Sequence, residues 1–291
     1  MIELIADEGD QATIGVAGDA YNTAVYMTKL THQNEVSVSF VTALGVDQFS
    51  GRILSAMAEH GINHSYVERR QDQMPGLYAI ETDENGERSF SYWRSNSAAK
   101  TLFAEPCSVQ MSRLADFDIL YISGITMAVL PAEMRVRLIK FLTEYRKGGG
   151  KLAFDSNFRP RLWEDLQTAR EVIMRMWSLT DIALPSVDDE TALFRESNET
   201  DVLKRLNAAG VRFGALKRGG LGPMLIGTSD APACLFDTIN NVVDSTAAGD
   251  SFNAGFLSEY IRGATIDEAA RKGHEVASRV IQKKGAIVAL N

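Results

Sequence analysis

Two rhythms alternate along the chain. Short apolar runs at 36–42 (VSVSFVT), 117–123 (FDILYIS), 151–156 (KLAFDS), 181–186 (DIALPS) and 213–218 (FGALKR) have the length and the content of buried strands. Around them, apolar positions recur with a period near 3.6 over 20–31, 49–60, 131–147, 161–178, 200–209, 249–262 and 266–283, which predicts helices. Strands that take turns with amphipathic helices predict an α/β fold, a mostly parallel central sheet with helices on both faces. Ligands of such sheets bind beyond the carboxyl ends of the strands, which directs attention to Ser123, Asn157, Ser186, Lys217 and Asp244.

One segment departs from this alternation. Residues 76–94 (GLYAIETDENGERSFSYWR) follow a period of two around Asn85-Gly86, a dipeptide suited to a type I′ turn, and predict a hairpin apart from the main sheet. With Asn85 and Gly86 as a two-residue loop, Phe90, Tyr92 and Arg94 share one face, and Tyr78 lies across from Trp93 on the other. Two readings stand side by side: a solvated hairpin with a few packing aromatics, or a small β-flap that carries an arginine over a cleft.

Composition narrows the range of functions. The chain has 291 residues, 45% of them hydrophobic, enough for one large domain with a substantial core. A net charge of −8, with no segment of clustered lysine and arginine, argues against nucleic acid as a partner. Cys107 and Cys234 are far apart, and neither a disulfide framework nor a zinc site follows from that spacing. The opening MIELIADEGD lacks the basic start and apolar core of a signal peptide, and no apolar run is as long as a membrane span. The expectation is a cytoplasmic protein with no membrane partner.

Residues 242–256, VVDSTAAGDSFNAGF, change character in the middle. If a strand ends near Asp244 and a helix begins near Gly249, the small residues Ala247, Ala248 and Gly249 occupy the first turn, where backbone N–H groups lack intrahelical partners. An anion can approach such donors closely, and the helix dipole favours it. Asp250 would repel that anion unless its task is to take a proton from a hydroxyl attacking a phosphoryl group. A plain helix cap accounts for the same residues, since acids and small residues suit a first turn.

The stretch DSTAAGDSFNAGF resembles the carboxyl-proximal signature of the ribokinase-like, or PfkB, carbohydrate kinases, with Ser245 and Ala247 departing from its D-T-x-G-A-G-D pattern. AGDAYNTAVYM (17–27) is similar to the amino-terminal signature, with Ala17 in place of one glycine. Together with VTALGVDQFSGRIL, the hairpin, DSNFRPRLW and KRGGLGP, the similarity covers nearly the full length and is strongest to the branch acting on the sugar acid 2-keto-3-deoxygluconate. The resemblance implies ATP-dependent phosphorylation of that acid at its terminal hydroxyl. It also implies a single ribokinase-like domain over 1–291, with a discontinuous β-lid at about 9–17 and 74–96 through which a homodimer forms. Asp250 would be the base, with Ala247, Ala248 and Gly249 as the anion hole. Gly18, Asp19, Asn22, Tyr78, Tyr92, Arg94 and Arg159 would line the sugar-acid site; two arginines on separate elements suit a carboxylate and a phosphoryl group. Ser186, Lys217, Gly219, Gly222, Ala277 and Gly285 would bind the nucleotide. Magnesium is expected, held mostly through water and phosphate oxygens. Where the family has N-x-x-E this chain reads SVDDE, so either Asp189 or Glu190 would act on the metal indirectly.

Other readings of the same residues are a fructokinase- or ribokinase-like enzyme for a neutral sugar, and a sugar- or nucleotide-binding protein without turnover. Two further motifs carry less. RKGGGKLAF lacks the Ser or Thr and the helix that must follow a P-loop lysine. HGINH (60–64) has a glycine where zinc ligation by a helix would need continuity.

Overall fold

The computed structural model describes residues 1–6, 11–82, 88–227 and 236–290. The chain divides into two compact units, Met1–Gln110 and Met111–Asn291.

In the first unit, strands β1 (Ile2–Ala6), β2 (Ala12–Val16), β5 (Leu77–Thr82) and β6 (Arg88–Trp93) form a sheet in the order β2-β1-β5-β6. β1 runs antiparallel to β2 and parallel to β5, and β5 runs antiparallel to β6. Strands β3 (Thr42–Leu44) and β4 (Val67–Arg69) pair separately and in parallel. Helices α1 (Asp19–Leu30) and α2 (Gln48–Glu59) complete this unit. The Asp47 carboxylate starts α2 by accepting the N–H groups of Phe49 and Ser50, two donors that a helix start otherwise leaves unsatisfied.

Two expectations need correction here. The run 36–42 is not a strand: Ser39 makes a single bridge with Asn63, and the strand proper begins at Thr42. The hairpin exists, but with a different register. Tyr78 lies opposite Tyr92, and Leu77 opposite Trp93. Thr82 pairs with Arg88, so the connection is five residues long rather than two, and this odd offset moves Tyr78 onto the face of Tyr92. The Asn85-Gly86 turn lies outside the described residues.

The second unit is built on a sheet of order β11-β10-β9-β8-β7. Its strands are β7 (Ile119–Ser123), β8 (Lys151–Asp155), β9 (Ile182–Ala183), β10 (Gly214–Leu216) and β11 (Met224–Ile226). β7 to β10 are parallel and β11 is antiparallel to β10. The helices are α3 (Gly124–Val129), α4 (Ala132–Lys147), α5 (Leu166–Trp177), α6 (Val187–Phe194), α7 (Glu199–Ala208), α8 (Ala248–Tyr260) and α9 (Ile266–Val280). Leu152, Ala153 and Phe154 of β8 are wholly buried, as expected of a central parallel strand covered by helices. The helix expected over 161–178 begins later, because Pro160–Leu162 form a short 3-10 turn and the Asp165 carboxylate caps α5 at the Thr168 N–H. Among the described residues no helix is long and apolar enough to cross a membrane.

Candidate active site

At the carboxyl ends of β8, β9 and β10 the second unit gathers charged side chains. The loops after β9 and β10 are joined by backbone bonds, Val187 N–H to Lys217 O at 2.9 Å and Lys217 N–H to Pro185 O at 2.8 Å. Ser186 caps α6, its hydroxyl accepting from the Asp189 N–H. This brings Asp189 into the field of Arg159, Asp155 and Lys217. Arg159 donates to the Asp189 carboxylate at 3.1 Å. Burial pushes the Asp189 carboxyl up from the ordinary range; Arg159 opposes the shift and Asp155 adds to it. Glu190, the next residue, is wholly buried and paired with Arg205 at 2.7 Å. Of the two acids left open by the sequence, Asp189 stands with the cluster.

Helix α8 begins on Ala247, which holds a left-handed backbone (φ 60°) and provides no side-chain cap. Ala248 and Gly249 follow in the first turn, then Asp250, which is 9% exposed. The Ala248 N–H donates to the Ser245 carbonyl at 3.2 Å, and no side chain caps the turn, so the Gly249 N–H is the donor it offers to a ligand. A Cβ placed on Gly249 would lie 3.5 Å from the Lys217 Nζ, so the ammonium stands beside this helix terminus. Upstream, the Asp244 carboxylate accepts from the Thr246 N–H at 3.0 Å and from the Gly285 N–H at 2.7 Å. It thereby ties the turn before α8 to one of the residues expected at the nucleotide. Gly219 and Gly222 belong to a short turn braced by Arg218, whose Nε donates to the Gly222 carbonyl. Ala277 lies on α9, its carbonyl accepting the Ile281 N–H.

The donor set suits a triphosphate: a backbone N–H at an uncapped helix start, one lysine and one arginine. Among the described residues no group of three or more histidine, cysteine or acidic side chains could hold a metal by itself. A magnesium ion here would depend on phosphate oxygens and water, with Asp189 as the nearby carboxylate.

Sequence reasoning missed three members of this cluster. Asp155, at the end of β8, accepts from Lys217 Nζ at 2.6 Å and from Asn253 Nδ2 at 2.7 Å, and Asn253 also donates to the Tyr121 hydroxyl at 3.0 Å. One available signal was Asn253 standing three residues after Asp250, within one turn of the same helix.

The first unit holds the remaining candidates. Gly18 precedes α1, Asp19 opens it, and Asn22, buried one turn on, accepts from the Gly18 N–H at 3.3 Å. On the four-stranded sheet the Tyr78 and Tyr92 rings are 6.0 Å apart and Arg94 lies 4.2 Å over the Tyr92 ring. The Tyr78 hydroxyl donates to the buried Glu3, a further residue that sequence reasoning did not single out.

An α/β sheet with a small separate sheet, and a signature helix carrying an acid in its uncapped first turn, define a sugar-kinase architecture. The chain belongs to the pfkB family of carbohydrate kinases, whose model matches residues 2–291. It is 41% identical to the 2-dehydro-3-deoxygluconokinase of Escherichia coli (strain K12), over 99% of this chain and 94% of that protein. Identity to the 2-dehydro-3-deoxygluconokinase of Dickeya dadantii is also 41%, over 100% of this chain and 94% of that protein. The fold is ribokinase-like. It superposes on aminoimidazole riboside kinase from Salmonella enterica, solved with aminoimidazole riboside and an ATP analog, with a TM-score of 0.82 at 22% identity, covering 100% of this chain and 93% of that one.

Proposed function

We propose that the protein transfers the γ-phosphoryl group of ATP to the terminal hydroxyl of 2-keto-3-deoxygluconate, giving 2-keto-3-deoxy-6-phosphogluconate and ADP. The observation that carries this reading is the full-length similarity to 2-dehydro-3-deoxygluconokinases in a chain that keeps Asp250 in the first turn of an uncapped helix. Asp250 accepts the proton of the attacking hydroxyl. The Gly249 N–H at the start of α8 meets the charge that develops on the phosphoryl oxygens, assisted by the helix dipole. Lys217 adds a cation at the same end, and Ser186, Gly219, Gly222, Ala277 and Gly285 attend the nucleotide. Magnesium bound to the phosphates would neutralise part of their charge, with the raised carboxyl of Asp189 nearby.

Sugar-acid recognition is proposed for Gly18, Asp19, Asn22, Tyr78, Tyr92 and Arg94 within the first unit, and separately for Arg159 within the second. An arginine spread over an aromatic ring is held in place by it, as Arg94 is over Tyr92. We assign the sheet over 12–16, 77–82 and 88–93 to the lid. Its exposed Ile14, Phe90 and Trp93 favour self-association into a homodimer, which light scattering measures.

The test is coupled ADP release with ATP and magnesium, comparing 2-keto-3-deoxygluconate with fructose, ribose and gluconate. A strong preference for the keto-deoxy acid is expected. Turnover of a neutral sugar alone would remove the acid-site assignment, and ATP binding without ADP release would remove catalysis altogether.

A further inference from the structure

The resemblance gives no part to Asp155 or Asn253, yet the structure places both against Lys217. A lysine ammonium has three donors. Two are engaged, by Asp155 Oδ2 at 2.6 Å and by Asn253 Oδ1 at 3.0 Å; the third has no partner among the described residues. The partners are themselves held. Asp155 is 2% exposed and also accepts the Asn157 N–H at 3.1 Å. The Asn253 amide, fully buried, is oriented by donating to both Asp155 and Tyr121. One hydrogen-bonded chain therefore links β7, β8, the loop after β10 and helix α8.

Free lysine side chains are flexible, and ordering one costs rotamer entropy. Donors fixed before the reaction are the ones that stabilise a transition state. We infer that Asp155 and Asn253 are positioning residues that hold the Lys217 ammonium at the N-terminus of α8, with its third donor reserved for an oxygen of the transferring phosphoryl group. This rests on the phosphoryl-transfer reading above. Because Asp155 neutralises the charge that Lys217 brings, the pair adds little attraction for ATP in the ground state and acts mainly on turnover.

A double-mutant cycle of Asp155→Asn and Lys217→Met tests the inference, with kcat from coupled ADP release and the ATP dissociation constant from calorimetry. Each single variant should lose about a hundredfold in kcat, the cost of one misplaced or missing donor. Asp155→Asn should keep its ATP affinity within about threefold, and the double variant should be within about threefold of the worse single one, since both changes remove the same donor. Multiplying losses, or Asp155→Asn weakening ATP more than about tenfold, would overturn the positioning role. Should Asp155→Asn fail to unfold cooperatively, Asn253→Ala replaces it, with an expected loss of about tenfold in kcat and the same non-additivity with Lys217→Met. A wild-type protein that phosphorylates no sugar removes the functional reading, whereas an active wild type with an additive cycle removes only this inference.

Discussion

Replacing Gly249 by alanine should move stability and activity in opposite directions. Gly249 has ordinary helical backbone, and the nearest atom to an added Cβ is the Lys217 Nζ at 3.5 Å, an ordinary contact. Neither backbone strain nor a clash opposes the change, and alanine in place of glycine in a helix gains about 0.5–1 kcal/mol. In a chain this long that corresponds to a rise of about 1–2 °C in melting temperature. The added methyl, however, would occupy space 3.5 Å from the ammonium at this helix start, where the proposed phosphoryl oxygen would approach Lys217. Losing simultaneous contact with one such donor costs about 10²–10³ in kcat. Thermal melting and coupled ADP release on the same preparation separate the two effects. A variant that is stabilised yet turns over within threefold of wild type would refute the placement of the phosphoryl group between Lys217 and α8.

Four further outcomes are expected. Asp250→Asn should reduce kcat by about 10³ or more while ATP affinity by calorimetry changes less than about threefold, because a base acts on turnover and contributes little to ground-state binding. Arg94→Ala should raise the KM for the sugar acid about tenfold or more and leave the KM for ATP unchanged; an unchanged sugar-acid KM would exclude Arg94 from the carboxylate site. Asp181 accepts two bonds from Arg146, each at 2.9 Å, and the Leu152 N–H at 3.0 Å; these outweigh the burial that raises its carboxyl, and the net shift is downward. A carboxyl lowered in the folded state stabilises above its unfolded pKa and loses that contribution as pH falls through the folded one, here below about pH 4. Asp181→Asn should therefore be about 1–2 kcal/mol less stable at pH 7 and lose less stability on acidification, as urea melts at pH 7 and pH 3.5 would show. Gly124→Ala would put a Cβ 1.8 Å from the Ser156 carbonyl oxygen; a loss of about 3 kcal/mol in denaturant melts is expected, with the backbone beside Asp155 displaced.

What the sequence disclosed follows from how local each signal was. β7 and β8 are apolar runs with polar borders, and α8 and α9 have long periodic stripes, so their existence was legible within a residue or two at most ends. β9 covers only Ile182 and Ala183, and its carboxyl side turns directly into α6, whose acidic first turn hid a helix inside SVDDE. The run 36–42 has strand composition, but a strand needs a neighbour over its length, and only Ser39 finds one before Thr42. The hairpin was visible in its alternation, whereas its register depended on a loop length that Asn85-Gly86 suggested wrongly. The acid and small residues of the signature helix stand together in sequence and could be read there. Asp155, Asn253 and Tyr121 are 34 to 132 residues from one another by their positions and share a hydrogen-bonded chain only after folding, which no local pattern encodes.

Helices α2, α3, α5, α6, α7 and α9 each start on a side chain that accepts a backbone N–H, while among the described helices α1, α4 and α8 do not. Two of those three begin at Gly18 and Ala247, where the proposed substrates sit. The missing cap at Ala247 forgoes about 1 kcal/mol and the glycine at Gly18 only about a few tenths, so the resting enzyme is less secure than its sequence could have made it, and a bound ligand supplies by mass action what the chain withholds. Its survival against unfolding and proteolysis would then track its substrates: a cell rich in sugar acid and ATP would keep more of this kinase without making more of it.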